Sequence, residues 1–251
     1  SQQKLTDTEY SILMKTLLTV GASLALFATH LTTANAQLTF NDSIVFVAGL
    51  GNPDTGFVSM LDPLNNLKFG LRAKDRSNGA TPNNGAGTYT FLAGSYAGPI
   101  RSRFNYEFSI ASDPALGGTQ KLDSYNFWLS GSGPSIPSFT VNALTSFADN
   151  SYGTSATANG AGVEGLSSLL APSNTIAQNS QNNVFIGGDV NATGTFTYTL
   201  YATALNEGPE GTRLAEVSIL VNVVPVPEPT SAALLGIGGF IAFQGYRRRK
   251  N

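Results

Sequence analysis

Apolar and polar residues alternate with a period of two along much of the middle of the chain. The alternation is strict over residues 103–110, where the apolar positions are Phe104, Tyr106, Phe108 and Ile110. The positions between them carry Arg103, Asn105, Glu107 and Ser109. Alternation of this kind is typical of a strand with one face in a core and the other in solvent. The segment is therefore predicted to be a half-buried β-strand.

The same period recurs in several other segments of the chain. They are Leu67 to Lys74, Thr88 to Leu92, Tyr125 to Leu129, Thr195 to Leu205 and Ala215 to Val223, with Ser43 to Ala48 as a further candidate. Turns rich in Gly, Asn, Asp and Pro separate these segments. About seven antiparallel strands spaced in this way predict an all-β fold, an antiparallel β-sandwich of immunoglobulin-like or jelly-roll kind. The pattern leaves the choice between these two topologies open.

The stretch from Gly131 to Asn183 departs from this pattern because Gly, Ser, Asn, Ala and Thr dominate it. It is longer than the bare loops that compact domains usually contain. We therefore expect a strand near Phe139 to Leu144 and a short helical turn near Val163 to Leu170.

An apolar run near the beginning of the chain has the features of a secretory signal peptide. Met14-Lys15 supplies a short positive region, Leu17 to Phe27 the apolar region, and Ala34-Asn35-Ala36 a cleavage site with small residues. The predicted signal helix occupies residues 14–36, and the mature protein is expected to begin at Gln37. Residues 1–13 precede the expected start methionine and are left out of the fold prediction.

A second apolar run lies near the end of the chain, after a proline-rich segment. Prolines between Pro225 and Pro229 keep that segment extended. The uncharged residues Ala232 to Tyr246 are slightly short for a comfortable membrane span, and they predict a short transmembrane helix. The basic residues Arg247, Arg248, Arg249 and Lys250 follow as a membrane stop. By the positive-inside rule they stay in the cytoplasm, which places the domain at 37–224 outside the membrane.

The order of Pro227-Glu228-Pro229, a short apolar span and a basic cluster resembles the PEP-CTERM sorting signal of bacterial exosortase substrates. This resemblance covers residues 225–251. It implies export, transient anchoring in the inner membrane, cleavage near the Pro-Glu-Pro motif by an exosortase-type enzyme, and a final place at the cell surface or outside the cell, in an exopolysaccharide biofilm. The alternative for the same residues is an ordinary C-terminal membrane anchor.

Composition limits the chemistry of the body of the protein. Between Gln37 and Val226 there are 13 acidic and 8 basic residues, a net charge of −5, which argues against nucleic acid as a partner. The chain has no cysteine, and its one histidine, His30, lies in the predicted signal peptide. Ser-His-Asp and Cys-His triads and most zinc sites cannot be built without these residues. We therefore expect no cofactor, no metal and no catalytic residue.

Two features of the body are candidate glycan contacts. Lys68, Arg72 and Lys74 share one face of a predicted strand and form a basic patch that suits an anionic polysaccharide. Alternatively, these charges protect an exposed or edge strand from pairing with other chains. Trp128 lies on the strand face opposite Phe127 and Leu129, where its indole can stack on a sugar ring unless a loop covers it.

The segment Asp189 to Gly194 partly matches a calcium-binding loop, but Leu200 stands where the final glutamate belongs. A turn between strands explains it better.

These observations favour a non-enzymatic surface or extracellular-matrix protein that associates with exopolysaccharide. The first alternative is a carbohydrate-binding or adhesive module. A glycoside hydrolase that uses only carboxylates is the third hypothesis.

Overall fold

The alternating segments of the sequence form strands in the computed structural model, which describes residues 36–49, 52–76, 79–96, 101–114 and 120–226. Within these ranges the strands are β1 (Gln37–Asp42), β2 (Phe57–Asp62), β3 (Leu67–Asp75), β4 (Gly79–Ala80), β5 (Thr88–Leu92), β6 (Phe104–Ala111), β7 (Asn126–Gly133), β8 (Ile136–Asn142), β9 (Ser151–Gly153), β10 (Val163–Glu164), β11 (Ile176–Asn182), β12 (Gly194–Thr203) and β13 (Ala215–Val224). The helical elements of the described residues are one short α-helix, α1 (Ser167–Leu170), and the 3₁₀ turns Leu122–Ser124 and Asn183–Ile186. The predicted all-β class is confirmed.

The strands form two sheets. The first contains eight strands in the order β1-β2-β3-β6-β11-β9-β10, with β4 paired to β3. The second contains five strands in the order β5-β13-β12-β7-β8. Among the described strand pairs, β13 and β5 run parallel and the others antiparallel. The prediction of a purely antiparallel fold is therefore wrong at this edge of the five-stranded sheet, while the choice between an immunoglobulin-like and a jelly-roll topology stays a prediction.

The two sheets pack face to face around one apolar core. The residues predicted to point inward from β3, namely Leu67, Phe69, Leu71 and Ala73, are fully buried. Aromatic pairs join the sheets: Phe69 meets Phe127 with ring centroids 5.9 Å apart, and Tyr106 stacks on Tyr198 at 4.4 Å. The two residues of each pair come from different sheets, so each sheet covers the apolar face of the other.

The outer face of β6 is buried as well, which corrects the prediction of a half-buried strand. Asn105, Glu107 and Ser109 are 0–5% exposed. Glu107 and Ser109 lie under residues 43–49 and 52–56, hereafter the covering segment, which crosses the outside of the eight-stranded sheet. Asn105 is buried by contacts with Arg76, Ser180 and Asn182. Its residues 43–47 have no regular secondary structure, so the strand predicted at Ser43 to Ala48 is also wrong. Ile44, Phe46, Ala48 and Phe57 form a small second core beneath it.

The region from Gly131 to Asn183 does contain hidden structure, as expected. β8 lies close to the predicted strand, and α1 lies within the predicted helical stretch. β11 was not predicted, because Ile176–Asn182 is mostly polar and shows no apolar alternation.

The predicted signal helix, transmembrane helix and basic membrane stop lie outside the described residues. In the part of the chain that is described, no helix has the length and apolarity needed to cross a membrane.

Candidate functional site

The sorting motif Pro227, Glu228 and Pro229, the basic residues Arg247 to Lys250, and Ala34 of the predicted cleavage site also lie outside the described residues. The positions next to them are described. Ala36 is exposed directly before β1, and Pro225 and Val226 are exposed directly after β13.

The predicted basic patch does not exist as an exposed surface. Arg72 lies in the outer row of β3, but its side chain and that of Glu107 are 0% exposed. Arg72 Nε donates to Glu107 Oε2 at 2.6 Å, and Arg72 Nη1 donates to the carbonyl oxygens of Pro53 and Thr55. Phe46 and Phe57 lie against the guanidinium, 4.9 and 4.2 Å from ring centroid to Cζ.

The two lysines of the predicted patch are also paired. Lys74 Nζ is 2.7 Å from Glu107 Oε1, and its side chain is only 12% exposed. Lys68 Nζ is 2.8 Å from Asp42 Oδ2, with 30% of its side chain exposed. The edge-strand explanation for these charges is wrong too, since β3 lies between β2 and β6. Of the three predicted contacts, the structure leaves only Lys68 substantially open to solvent.

The charges around Glu107 hold its carboxylate ionised. Burial alone would raise the pKa of Glu107, but the charges of Arg72 and Lys74 outweigh burial and hold this pKa below its ordinary value. The same balance applies to Asp42: burial raises its pKa, but the hydrogen bonds from Lys68, Ser59 and the Ser43 backbone, together with the charge of Lys68, hold this pKa below its ordinary value. The cluster is thus a structural ion network under the covering segment.

Gln178 fixes the covering segment to the sheet through both ends of its side-chain amide. Its Oε1 accepts from the N–H groups of Val47 and Ala48, and its Nε2 donates to the carbonyl oxygen of Val45 and to Ser109 Oγ. One buried side chain therefore satisfies three backbone groups of a segment that has no strand partner of its own.

Trp128 is half-buried on the outer face of the five-stranded sheet, neither fully exposed nor fully covered. Its Nε1 donates to Thr203 Oγ1 at 3.0 Å, which fixes the orientation of the indole. Its cross-strand neighbours are Tyr201 on β12 and Asn142 on β8. A loop borders the site, because Asn126 Nδ2 donates to the carbonyl oxygens of Ala204, Leu205 and Glu207.

The sheet face beside Trp128 is lined with hydroxyl groups. The next cross-strand row consists of Thr140, Ser130, Thr199 and Ser218. Thr199 and Ser218 hydroxyls are 2.8 Å apart. The charged pair Arg213–Glu216 lies at the end of the face near Tyr201, where the guanidinium of Arg213 lies 4.3 Å from the Tyr201 ring.

An aromatic ring beside a row of hydroxyls is the combination that proteins use to stack and hydrogen-bond a sugar. The sequence predicted Trp128 as a glycan contact because the strand period places it on the face opposite Phe127 and Leu129. The hydroxyl row was missed because its members come from four strands, and only the register of those strands brings them together.

The calcium-like segment at Asp189 is a turn. Asp189 Oδ1 accepts from Asn191 N, and the Asp189 carbonyl accepts from Ala192 N, directly before β12. Throughout the described residues, no group of three or more His, Cys, Asp or Glu side chains is placed to hold a metal ion.

Comparisons of the chain with protein-family models, curated proteins and solved structures gave no match.

Proposed function

We propose that this chain is a non-enzymatic exported surface or extracellular-matrix protein, processed at Pro227-Glu228-Pro229 by an exosortase-type enzyme and associated with exopolysaccharide. The observation that carries the proposal is the order of proline motif, short apolar span and basic cluster at the end of a chain that also has a signal-peptide pattern. We propose an exosortase-type enzyme because the tail resembles the sorting signal of PEP-CTERM proteins.

The position of the motif relative to the folded domain supports this proposal. The last described strand ends at Val224, and the exposed residues Pro225 and Val226 separate it from the motif. A processing enzyme needs an accessible substrate segment, and the exposure of Pro225 and Val226 directly before the motif supports such access. Cleavage there would leave every described strand intact.

Mass spectrometry and C-terminal sequencing of the protein from its native cells test the proposal. We expect the surface form to end near the motif and to lack Arg247 to Lys250. Replacing Pro227, Glu228 and Pro229 with alanine should cause the uncleaved form to accumulate. The matched control replaces the other Pro-Glu pair, Pro209 and Glu210, which lies in a loop of the folded domain. A surface form that retains the basic tail would overturn the proposal.

A second candidate function is a carbohydrate-binding module that uses the face around Trp128. The half-buried indole, held by Thr203 and bordered by hydroxyls, is the observation that favours it. Trp128 is the only tryptophan in the chain, so its emission reports on this face alone. We expect a glycan that binds here to shift the emission and to lose affinity for Trp128→Ala. Emission that no glycan changes would contradict this candidate.

A further inference from the structure

A groove crosses the outer face of the eight-stranded sheet where the covering segment begins. Cross-strand neighbours form its floor: Lys68, Ala111 and Ile176 in one row, and Gly70 and Ser109 in the next. Phe57 and Ile44 cover Gly70, so the sheet surface is low over Ala111, where the side chains of Ala111 and Ser109 are small. The resulting depression has a volume of about 300 Å³.

A second depression borders the same stretch of the covering segment. Ser43, Ile44, Val45 and Ser155 line both depressions, which are therefore adjacent. The second depression has a volume of about 380 Å³ and is also lined by Asp54, Thr157 and Asn159. Each depression lies at the lower end of the volumes at which proteins bind small ligands.

The groups around the groove suit hydroxyl-bearing ligands. Ser109 Oγ accepts from Gln178 Nε2 and still has its own proton to donate. The carboxylate of Asp113 accepts from Asn66 Nδ2 through one oxygen and keeps acceptor capacity, because a carboxylate has about four lone-pair sites. Ala111, Ile176 and Val45 supply apolar surface between these polar groups. Carboxylates and hydroxyls around a small apolar floor match the two faces of a sugar ring.

The charges of the groove select against acidic sugars. Lys68 is its only described cation, and Asp42 already pairs with it. Asp54 and Asp113 add two negative charges along the lining. A carboxylate or sulfate on the ligand would meet like charge, which is unfavourable. This reverses the preference for anionic polysaccharide that the basic residues of the sequence predicted.

We infer that this groove binds an uncharged oligosaccharide, with one sugar ring in each depression. The inference rests on the proposed association with exopolysaccharide and names both the place and the chemical class of the contact. It is distinct from the Trp128 face, which lies on the other sheet.

Calorimetric titration of the full chain tests the inference, with cellobiose, maltotriose and mannotriose as uncharged probes and digalacturonate as the acidic probe. We expect binding of at least one uncharged probe and weaker or no binding of digalacturonate. Ala111→Leu fills the floor, and Asp113→Asn removes a charged acceptor. Asp113→Asn should weaken binding about tenfold or more, since a hydrogen bond to a charged group contributes that much. Ala111→Leu should weaken binding at least as strongly, because the larger side chain occupies the space of the ligand.

Two matched controls accompany these variants. Ala86→Leu makes the same change in an exposed loop outside the groove, and Asp123→Asn removes an exposed carboxylate elsewhere. Both should bind as the unchanged protein does. Asp113→Asn alters no buried packing, so it tests the groove even if Ala111→Leu does not fold. Tighter binding of digalacturonate, binding that neither groove variant weakens, or binding of no probe overturns the inference.

Co-sedimentation of the same proteins with native exopolysaccharide separates this inference from the proposed function. If the unchanged chain and both groove variants sediment equally, the groove is not the contact, whereas the proposed association stands. If the unchanged chain does not sediment, the proposed association fails regardless of the titrations.

Discussion

At the scale of single residues, the contact between Arg72 and Glu107 shows how a sequence feature changes its meaning on folding. Arg72 was part of a candidate surface patch, but the covering segment removes it from water. Its charge is then satisfied by Glu107, by two backbone carbonyls and by two aromatic rings. Loss of one partner leaves the other as a buried, uncompensated charge, which costs more than the pair itself contributes.

We predict that Glu107→Gln lowers the free energy of unfolding by about 3–5 kcal/mol, the usual cost of breaking a buried ion pair. The control is Glu216→Gln, which breaks the exposed pair Arg213–Glu216 and should cost no more than about 1 kcal/mol. Urea denaturation of both variants measures the difference. Equal costs would mean that burial does not strengthen the Arg72–Glu107 contact.

The lowered pKa of Glu107 predicts a loss of stability in acid. Because the folded-state pKa lies below the unfolded value, the contribution of Glu107 is complete above the unfolded carboxyl pKa of about 4.3 and is lost as the pH falls through the lower folded value. Denaturation curves across this range should show a steeper acid decline for the unchanged protein than for Glu107→Gln. Parallel declines would contradict the assignment of this charge network.

At the scale of elements, the covering segment is held by side chains and by isolated backbone hydrogen bonds rather than by strand pairing. Gly160 N donates to the Phe46 carbonyl, and Gly162 N donates to the Val47 carbonyl. Gln178 supplies hydrogen bonds to Val45, Val47 and Ala48, and Ser151 Oγ donates to the Val47 carbonyl. An irregular segment that lies over a polar sheet face needs such partners, because its buried backbone groups are otherwise unsatisfied.

We predict that Gln178→Met destabilises the protein by about 1–3 kcal/mol, the cost of leaving buried polar groups unpaired. Amide hydrogen exchange at Val47 and Ala48 should become faster. Gln181→Met is the matched control, since Gln181 is on the same strand but bonds to Asp149 and Asn179 instead. Exchange at Val47 that responds equally to both variants would argue against Gln178 as the fixing residue.

Glycine has a packing role at the end of β7. A Cβ on Gly133 would lie 2.1 Å from the ring of Phe196, whereas a Cβ on Gly208 would meet nothing within 4 Å. We therefore expect Gly133→Ala to cost about 1–3 kcal/mol through overpacking. Gly208→Ala should be neutral or slightly stabilising. Thermal denaturation of the two variants compares them directly, and equal midpoints would contradict the close contact with Phe196.

The sequence predicted the inward-facing half of the fold better than the outward-facing half. Inward residues such as Phe69 and Phe108 follow the strand period, which is a local signal. The burial of Glu107 depends on a segment more than fifty residues earlier that lacks regular structure. The candidate sites follow the same rule. The alternation of apolar and polar residues predicted the outward position of Trp128. The groove beside Ala111, in contrast, depends on the register of three strands and on the place where the covering segment begins.

At the scale of the whole domain, the shared core ties the two sheets together. Phe104 contacts Phe91 and Phe196 of the five-stranded sheet, and Tyr106 stacks on Tyr198. Neither sheet can lose its partner without exposing its apolar face. We therefore predict one cooperative unfolding transition. Trp128 emission, which reports on the five-stranded sheet, should change at the same midpoint as the far-ultraviolet circular dichroism of all strands. Separate midpoints would show that the sheets unfold independently.

The parallel pairing of β13 with β5 has a mechanical consequence. β13 lies between β5 and β12, and its C-terminal end is where the chain leaves the described domain. A pull on Val226 along the strand direction therefore loads the hydrogen bonds on both sides of β13 in shear, many at once, rather than opening them one by one. A protein held at this end while its surface binds a matrix would resist tension through an interior strand of the five-stranded sheet.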